Sequence, residues 1–598
     1  MGAEPLEEAA TPQQRPQPAA AEAVAAPAVA ITGQLARARP LGLAGQWLGA
    51  PVRWLRRLGY RSLFYSLRLR GSFPLKLLAS PDDPWPGDGD RGALYAEGQW
   101  AWGGYGIKAT TPPFDDSVAP EAYRAWLHSF RWLRDVAAIN DNRRAINTAE
   151  PAVRAWLADY AAYDAMAWRS DLIGERIIYW TTYAPLILSG HDLVYRSQVL
   201  NTLARQARHL ARAAHRAGDG LPRLHAIIGL MYSGLLLPGG EDRLARGEAL
   251  LGETLARLVL ADGGFATRNP ADTHACLRLL IALRGVYRQR GASVPDWLQP
   301  TIDRMVPMLK GLLLTPDLLA AFNGARSGRG RDFALTLDLS ECDGGAISNA
   351  AHSGYQRLAR GNMTVLVDTG PPPAMDLSHK AHAAPLALEL AHDGQPVLVN
   401  CGGCRDADGL PREMAWMTRA TAAHSSLTVN QSNAGHVRAD FQIGHGAEHT
   451  EWTRREAEAG IWLDASHDGY GRRFGLLHRR RLYLAPDGEE LRGEDNLSTL
   501  PRSWAGLWRR EKPNQFDLRF HLHPDIEATP TRDGHAAILR LPNKQGWMFR
   551  VGGPALAIED SLYLDQNGKP RKNKQLVISG PIDKFPLAVN WSLKATHG

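Results

Sequence analysis

The segment Asp262–Pro270, DGGFATRNP, separates two stretches whose apolar residues recur every three or four positions. These stretches are Arg243–Leu260 before it and Ala271–Arg290 after it, and their spacing is typical of amphipathic helices. The paired glycines predict a turn, and Asn-Pro is typical of a capped helix start. The segment therefore predicts two helices joined by a short turn.

The same spacing recurs over residues 120–319, with short breaks such as Gly218–Gly220 and Pro238–Gly240. Many antiparallel helices with short connections suggest stacked hairpins, which could close into an (α/α) toroid. We assign residues 45–325 to this helical domain. The further helical segments are Pro151–Asp164, Asp171–Ser189, His191–Ala217, Arg223–Leu237 and Trp297–Leu312.

After Gly330 the pattern changes to short alternating runs separated by turn signals such as Asp393-Gly394 and Asp487-Gly488. Roughly a dozen such runs predict an antiparallel β-sandwich over residues 326–598. The predicted fold class is thus α+β and multidomain, an N-terminal (α/α) toroid followed by a C-terminal antiparallel β-sandwich. The runs include Phe333–Leu339, Met363–Asp368, Ala387–Leu390, Ala537–Leu541, Trp547–Val551, Lys574–Ile578 and Pro586–Ser592.

The first 44 residues are rich in Pro and Ala and predict a disordered leader with no readable signal peptide. Residues 35–70 contain no acidic residue, and arginines alternate with Trp, Tyr, Phe and Leu. Such a basic amphipathic segment can lie on an anionic membrane surface. It can equally pack on the body of the protein with its arginines in solvent, which is the preferred interpretation. No stretch is long and apolar enough to predict a transmembrane helix.

The composition limits the remaining classes of function. A net charge of +7 is mild for 598 residues and compatible with an anionic ligand. No Walker loop, recognition helix or basic repeat indicates nucleic-acid binding. The four cysteines are too few for a disulfide scaffold, and Cys401–Cys404, a single CxxC, is interpreted as a Gly-rich turn. The 18 Trp residues fit either sugar stacking or core packing.

Six segments together resemble the heparinase II/III-like polysaccharide lyases, in that family's order. DGGFATRNP resembles its "DGG…RSP" segment, AHAAPLALEL at Ala381–Leu390 resembles "HADALSFEL", and RATAAHSSLTV at Arg419–Val429 resembles "RSTAAHNTLVV". The resemblance implies a toroid followed by a sandwich, in agreement with the helix-then-strand pattern. The other three segments are Leu230–Pro238, Gln395–Gly402 and Arg519–Pro524.

The resemblance also implies a reaction, the β-elimination of a polysaccharide that contains uronic acid. This reaction needs a group that neutralises the sugar carboxylate, a base for the carbon-5 proton and an acid for the leaving oxygen, but no organic cofactor. The family's Asn-His pair aligns with about Leu221 and Pro222, whose side chains can perform none of these three roles. Its catalytic Tyr is also missing, because no Tyr lies between Tyr232 and Tyr287.

Other residues could substitute for these groups. Arg268 and Asn269 could hold the carboxylate, although a helix cap before Pro270 explains them equally well. Tyr355, His352 and His379 could supply the base and the acid from the β domain. His225 and His274 lie on predicted helices and could bind substrate, although packed histidines are the commoner case. We predict that the helical and the β-domain candidates face each other across one groove.

His382 and His424 match the family's metal ligands, so the resemblance implies a zinc site. The Asp that follows the first ligand is replaced by Ala384, and two His from distant strands fall short of the four ligands that zinc prefers. His379 could contribute a third ligand. We predict that His382 and His424 approach each other at the domain interface.

Two functions remain open. One is a lyase acting on an acidic polysaccharide, including a form with a rearranged site. The other is a catalytically degenerate glycan-binding or cell-envelope protein on the same fold. The family implies the cell envelope or periplasm, and a cytoplasmic location is the alternative.

Overall fold

A computed structural model describes residues 30–37, 59–60, 62–71, 74–328, 330–405, 408–500 and 511–596. Helices dominate up to residue 312 and antiparallel strands dominate from residue 349, which confirms the predicted order. Closure of the helices into a toroid stays a prediction. The α-helices are Leu63–Arg68, Gly89–Ala96, Glu121–Ser129, Leu133–Ala137, Asn142–Tyr160, Ser170–Thr182, Ala184–Ile187, Leu193–Ala213, Leu221–Leu236, Glu241–Leu258, Pro270–Gln289, Leu298–Leu312, Gly330–Ser340, Arg412–Met417 and Gly471–Phe474.

The hairpin around residues 262–270 forms as its sequence predicts. The side chain of Asn269 accepts hydrogen bonds from the backbone N–H groups of Ala271 and Asp272 at the start of helix Pro270–Gln289. Gly263 has a positive φ of 84°, and a Cβ there would lie 2.0 Å from the Arg304 carbonyl oxygen. Only glycine fits this turn.

Most of the tryptophans that the structure describes in the helical half are core residues rather than an exposed sugar-stacking surface. Trp100, Trp132, Trp156 and Trp180 are fully buried. Trp156 and Trp180 meet edge to face with 5.5 Å between ring centroids. Such contacts add to the apolar burial that holds the helices together.

Two nine-stranded sheets pack around one apolar core and form the second half. The first sheet has the spatial order Ala30–Ala36, His449–Ala457, Gly460–His467, Leu476–Leu484, Glu490–Thr499, Leu587–Thr596, Gly546–Gly552, Ala536–Arg540 and Glu527–Pro530. The second has the order Leu556–Leu564, Pro570–Pro581, Gln515–Leu522, Gln395–Val399, Leu388–His392, Met363–Asp368, Tyr355–Arg360 and Asn349–Ala350, with Leu427–Val429 also paired to Gln515–Leu522. Two small hairpins, Gln99–Trp102 with Tyr105–Lys108 and Leu313–Thr315 with Leu318–Leu319, lie outside these sheets.

The predicted strand Phe333–Leu339 is wrong, because this segment lies in helix Gly330–Ser340. Its alternating letters also place Phe333, Thr336 and Ser340 on one helical face, and that face is buried. Thr336 and Phe333 contact His274 of the neighbouring helix. The helical layer therefore extends past the predicted boundary at residues 325 and 326.

The prediction of a disordered leader over residues 1–44 is wrong for Ala30–Ala36, a strand on the edge of the first sheet. It pairs antiparallel with His449–Ala457, and Gly33 lies opposite Trp452. The Arg37 guanidinium donates to the carbonyl oxygens of Pro373 and Ile443. Residues 1–29 and 38–58, with the rest of the leader and most of the basic segment, lie outside the described residues.

Candidate functional site

Arg268 joins the helical half to the sandwich. It is 6% exposed and lies in the left-handed region at φ 54°. Its guanidinium donates to the carbonyl oxygens of Ser353 at 2.7 Å and Pro371 at 2.5 Å, and forms an ion pair with Asp368. A Cβ on Gly370 would lie 2.6 Å from the same guanidinium, so a larger residue there would displace the Arg268 side chain. The N–H donors of the Arg268 guanidinium are therefore bonded to acceptors of the protein itself.

Tyr355 completes this cluster. Its hydroxyl donates to the Arg268 carbonyl and accepts a hydrogen bond of 2.9 Å from the Asn323 side chain, which also donates to Asp368 at 3.0 Å. The Arg268 guanidinium lies 4.9 Å from the Tyr355 ring centre. Burial raises the pKa of the Tyr355 phenol far above its ordinary value, and the Asp368 carboxylate adds to the rise. We call Arg268, Asn323, Tyr355 and Asp368 the interdomain latch.

The other predicted catalytic residues do not join the latch side chains. Asn269 caps a helix through its side-chain oxygen, which is the alternative that the sequence left open. His352 is exposed, and its backbone N–H donates to Asp262 at 2.8 Å. His379 is also exposed, and its Nε2 lies 3.1 Å from the side-chain nitrogen of Gln442. The structure thus brings Arg268 and Tyr355 together, in a buried cluster rather than across an open groove.

His382 and His424 meet as predicted, with 2.7 Å between Nδ1 of His382 and Nε2 of His424. The Nδ1 of His424 lies 2.8 Å from the Ala420 carbonyl, so it must carry the proton, and Nε2 then accepts from His382. Burial lowers the pKa of His424 to about 4 and keeps the pair neutral.

The residues of this pair do not fit a zinc ion. Among the residues that the structure describes, no group of three or more His, Cys, Asp and Glu side chains is placed to hold a metal. The two ring nitrogens that face each other are already joined by a hydrogen bond. His379 contacts Gln442 instead of supplying a third ligand. No step of a reaction is therefore assigned to a metal here.

A cavity of about 260 Å³ opens in the helical half and contains His225, one of the predicted substrate-binding residues. His225 Nδ1 lies 3.2 Å from Glu175, and burial lowers the His225 pKa despite that carboxylate. Arg131 contacts the other oxygen of Glu175 at 3.1 Å. Lys380 of the sandwich also lowers the His225 pKa, so both halves act on this cavity.

His274 has a different place. Its Nε2 lies 2.9 Å from the Thr336 hydroxyl, and its ring meets Phe333 edge to face. Burial lowers its pKa to about 3, so it is a neutral packing residue. Sequence reasoning missed Arg278, one helical turn further along, whose guanidinium lies beside the cavity. A single Arg on an amphipathic helix carries no signal that distinguishes it from a solvated one.

This architecture, helices followed by a sandwich, is that of known polysaccharide lyases. Residues 343–592 match the family model described as Heparinase II/III-like, C-terminal. A crystal structure of heparinase III aligns with a TM-score of 0.69 at 12% identity and covers 94% of this chain and 93% of that one. Heparan sulfate lyase from Pedobacter heparinus aligns at 0.56 with 15% identity, covering 94% and 92%. This chain belongs to the heparinase II/III-like family.

A relative in Caulobacter vibrioides carries a different kind of name. FtsZ-localized protein C is 31% identical to this chain over 542 residues, which are 88% of this chain and 91% of the relative. The likeness therefore spans both halves of the molecule.

Proposed function

We propose that this protein is a non-cleaving member of the lyase family, which binds an acidic saccharide and works where FtsZ assembles. The observation that carries the loss of cleavage is the interdomain latch. β-Elimination needs a base and a carboxylate-binding group that the substrate can reach. Tyr355 and Arg268 are only 4% and 6% exposed, and both are hydrogen-bonded to other groups of the protein.

The aligned family positions support the same proposal. Leu221 and Pro222 have no titratable group, and Phe265 and Ala266 stand where the catalytic Tyr would be expected. Asn269, one of the two residues expected to hold the sugar carboxylate, is engaged as a helix cap. A buried phenol with a raised pKa that already donates its proton to a carbonyl is a poor proton acceptor.

Saccharide binding is supported by the groups around the helical cavity. Arg131, Arg134 and Arg278 lie beside it, with Tyr179 and Tyr232. Cations and hydroxyl-bearing side chains in a concave site are what recognise an acidic, hydroxyl-rich ligand. Uronic-acid polymers and shorter sugar acids both fit this description.

The association with FtsZ rests on the relative's name and on the extent of the likeness. It favours the cytoplasmic alternative over the periplasm, and we extend the proposal to that compartment. The described residues contain no helix that is both long and apolar enough to cross a membrane.

Peripheral membrane contact through residues 35–70 is part of the proposal. Phe64 is 79% exposed and Leu67 is 49% exposed on the short helix Leu63–Arg68. The neighbouring surface pocket is lined by Arg68, Arg212 and Arg216. Exposed apolar side chains among arginines suit an anionic lipid surface. Replacing Phe64 and Leu67 by Ser should weaken binding to anionic vesicles, and unchanged binding would remove this contact.

The test of the proposal combines localisation and binding. A fluorescent fusion of the full chain should form bands that coincide with labelled FtsZ, with the fluorescent protein alone as control. Purified protein should bind a uronate polymer and leave its length unchanged. A diffuse fusion contradicts the division-site role, and shortening of the polymer contradicts the loss of cleavage.

A second candidate is a lyase with a rearranged site. Because Nδ1 of His382 donates to His424, Nε2 of His382 carries no proton and can accept one. This nitrogen belongs to a side chain that is 5% exposed, so substrate access is narrow. His382→Gln separates the candidates, since it should abolish cleavage in a lyase and leave saccharide binding unchanged in a non-cleaving protein.

A further inference from the structure

Two stretches of the chain that contain no acidic residue meet on the outside of the helical half. Residues 31–81 and 193–218 include neither Asp nor Glu, although both are rich in arginine. The short helix Leu63–Arg68 of the first stretch packs on helix Leu193–Ala213 of the second, where the Tyr65 hydroxyl lies 2.7 Å from Nδ1 of His209. The contact therefore gathers arginines of both stretches on one surface, and neither stretch supplies a carboxylate to it.

A surface pocket of about 540 Å³ opens beside this contact. Its lining includes four arginines, Arg68, Arg212, Arg216 and Arg246, and none of the described residues around it is acidic. Arg212 donates to the Arg208 carbonyl at 2.7 Å and Arg216 to the Tyr60 hydroxyl at 3.4 Å, and both of these acceptors are neutral. Four like charges around a concave surface create a positive potential that attracts an anion.

Two apolar side chains project beside this pocket. Phe64 and Leu67 are three positions apart on helix Leu63–Arg68, so they lie on one face of the helix, and both are exposed. Tyr65 of the same helix is buried and contacts His209, which fixes the helix on the body of the protein. The apolar pair is therefore held in solvent next to the arginines, where an apolar surface that covered it would stabilise it.

The arginines and the apolar pair together indicate the class of the ligand. An anionic phospholipid leaflet presents phosphate groups at its surface and acyl chains directly beneath them. A soluble anion or a nucleic acid would pair with the arginines but would give Phe64 and Leu67 no apolar surroundings. An anionic phospholipid is therefore the occupant that matches both features.

We propose that this pocket binds the phosphate headgroup of an anionic phospholipid, while Phe64 and Leu67 enter the acyl region of the same leaflet. The size fits, since about 540 Å³ lies within the range of ligand pockets. Guanidinium groups can hold a phosphate through paired hydrogen bonds. The inference rests on the proposed function for the membrane contact and deepens it, because Arg212, Arg216 and Arg246 lie outside residues 35–70.

The experiment measures co-flotation of the full-length protein with vesicles of phosphatidylcholine alone or of phosphatidylcholine mixed with phosphatidylglycerol. The double variant Arg216→Gln/Arg246→Gln should bind the mixed vesicles about 10-fold or more weakly than the wild type. The matched control Arg143→Gln/Arg257→Gln removes the same charge from exposed positions outside the pocket and should change the affinity by less than about 2-fold. All four arginines are exposed, so both double variants should fold, and circular dichroism checks this.

Titration with inorganic phosphate separates a lipid headgroup from a free phosphate. We expect soluble phosphate to bind far more weakly than the mixed vesicles, because it gains no contact with the apolar pair. Phosphate binding as tight as vesicle binding, and equally tight in Phe64→Ser, would identify free phosphate as the ligand and overturn the lipid assignment. Binding to duplex RNA in the absence of vesicle binding would overturn it in favour of a nucleic acid.

Failure of this inference is distinguishable from failure of the proposed function. Equal losses of vesicle binding in the two double variants would overturn the headgroup pocket and leave the peripheral membrane contact standing. Absence of wild-type binding to both kinds of vesicle would overturn the pocket and the membrane contact together. Vesicle binding that needs the pocket arginines, by a protein that does not meet FtsZ, would support the pocket and overturn the division-site role alone.

Discussion

Replacing Arg268 by Met tests whether the interdomain latch is structural. The variant keeps the length and apolar stem of the side chain and removes the charge. The Asp368 carboxylate, 5% exposed, would keep only hydrogen bonds from Asn323 at 3.0 Å and from the Gly370 backbone at 3.2 Å. Breaking a buried pair by removing one partner costs about 3–5 kcal/mol. The carbonyl oxygen of Ser353 also loses its donor.

Urea unfolding followed by circular dichroism measures this effect. We expect Arg268→Met to lower the free energy of unfolding by about 3–5 kcal/mol and to separate the unfolding of the helical half from that of the sandwich. Arg257→Met, an exposed helical arginine, is the matched control and should change it by less than about 0.5 kcal/mol.

A double variant tests the ion pair between Arg268 and Asp368 itself. Adding Asp368→Leu to Arg268→Met removes the charge that the single variant leaves unpaired. The double variant should therefore lose less stability than the sum of the two single losses. A loss below about 0.5 kcal/mol for Arg268→Met, or strict additivity in the double variant, would refute the structural role of the latch.

Three further predictions concern other parts of the molecule. Gly33→Leu should detach the edge strand, because a Cβ there would lie 2.3 Å from the Trp452 ring, and limited proteolysis should then cut residues 30–37 several-fold faster than in the exposed control Thr32→Leu. The pKa of His424 is about 4 in the folded protein against 6.5 ordinarily, so the unfolded state binds more protons between pH 4 and pH 6.5. The contribution of neutral His424 to the free energy of unfolding, up to about 3 kcal/mol, should therefore be full above pH 6.5 and lost as the pH falls toward 4. His424→Gln should flatten the dependence of the unfolding free energy on pH in this range. Zn²⁺ should leave the melting temperature of the wild type unchanged, and a rise that His382→Gln removes would restore the metal site.

The order of the two halves could be predicted because it rests on local periodicity. Helical spacing over residues 120–319 and turn pairs such as Asp393-Gly394 are properties of neighbouring residues, and strands Leu388–His392 and Gln395–Val399 pair across that turn. The prediction of a strand at Phe333–Leu339 is wrong because seven residues fit both the strand period and the helix period. Packing against His274 favours the helix.

The edge strand Ala30–Ala36 could not be predicted for a different reason. Its Pro- and Ala-rich surroundings resemble a disordered leader, and its partner His449–Ala457 lies more than 400 positions away. No pattern in the residues around Ala30–Ala36 indicates that a strand so far away in the sequence has an unpaired edge. The structure provides the partner, and Gly33 then fits beside Trp452.

The sequence predicted which residues of the candidate site lie close together, but it could not predict which hydrogen bonds their side chains make. Arg268 and Tyr355 do meet, and so do His382 and His424, as their chemistry and the family resemblance suggested. The acceptors of Arg268 are mostly backbone carbonyls, which any sequence would offer. Conversely, Arg278 differs from Arg131 and Arg134 only in space, because those two contact carboxylates and no carboxylate among the described residues is in contact with Arg278.

The loss of cleavage is tested most directly by the absorbance of unsaturated uronate when purified wild-type protein is incubated with a panel of uronic-acid polysaccharides. A base and a carboxylate-binding group that the polymer could reach would generate this product continuously. The latch instead holds Tyr355 and Arg268 in contact with other groups of the protein. We expect no increase in absorbance for any polymer, in samples where binding is measurable. A steady increase that disappears in Tyr355→Phe, while the folded state of that variant is retained, would contradict it.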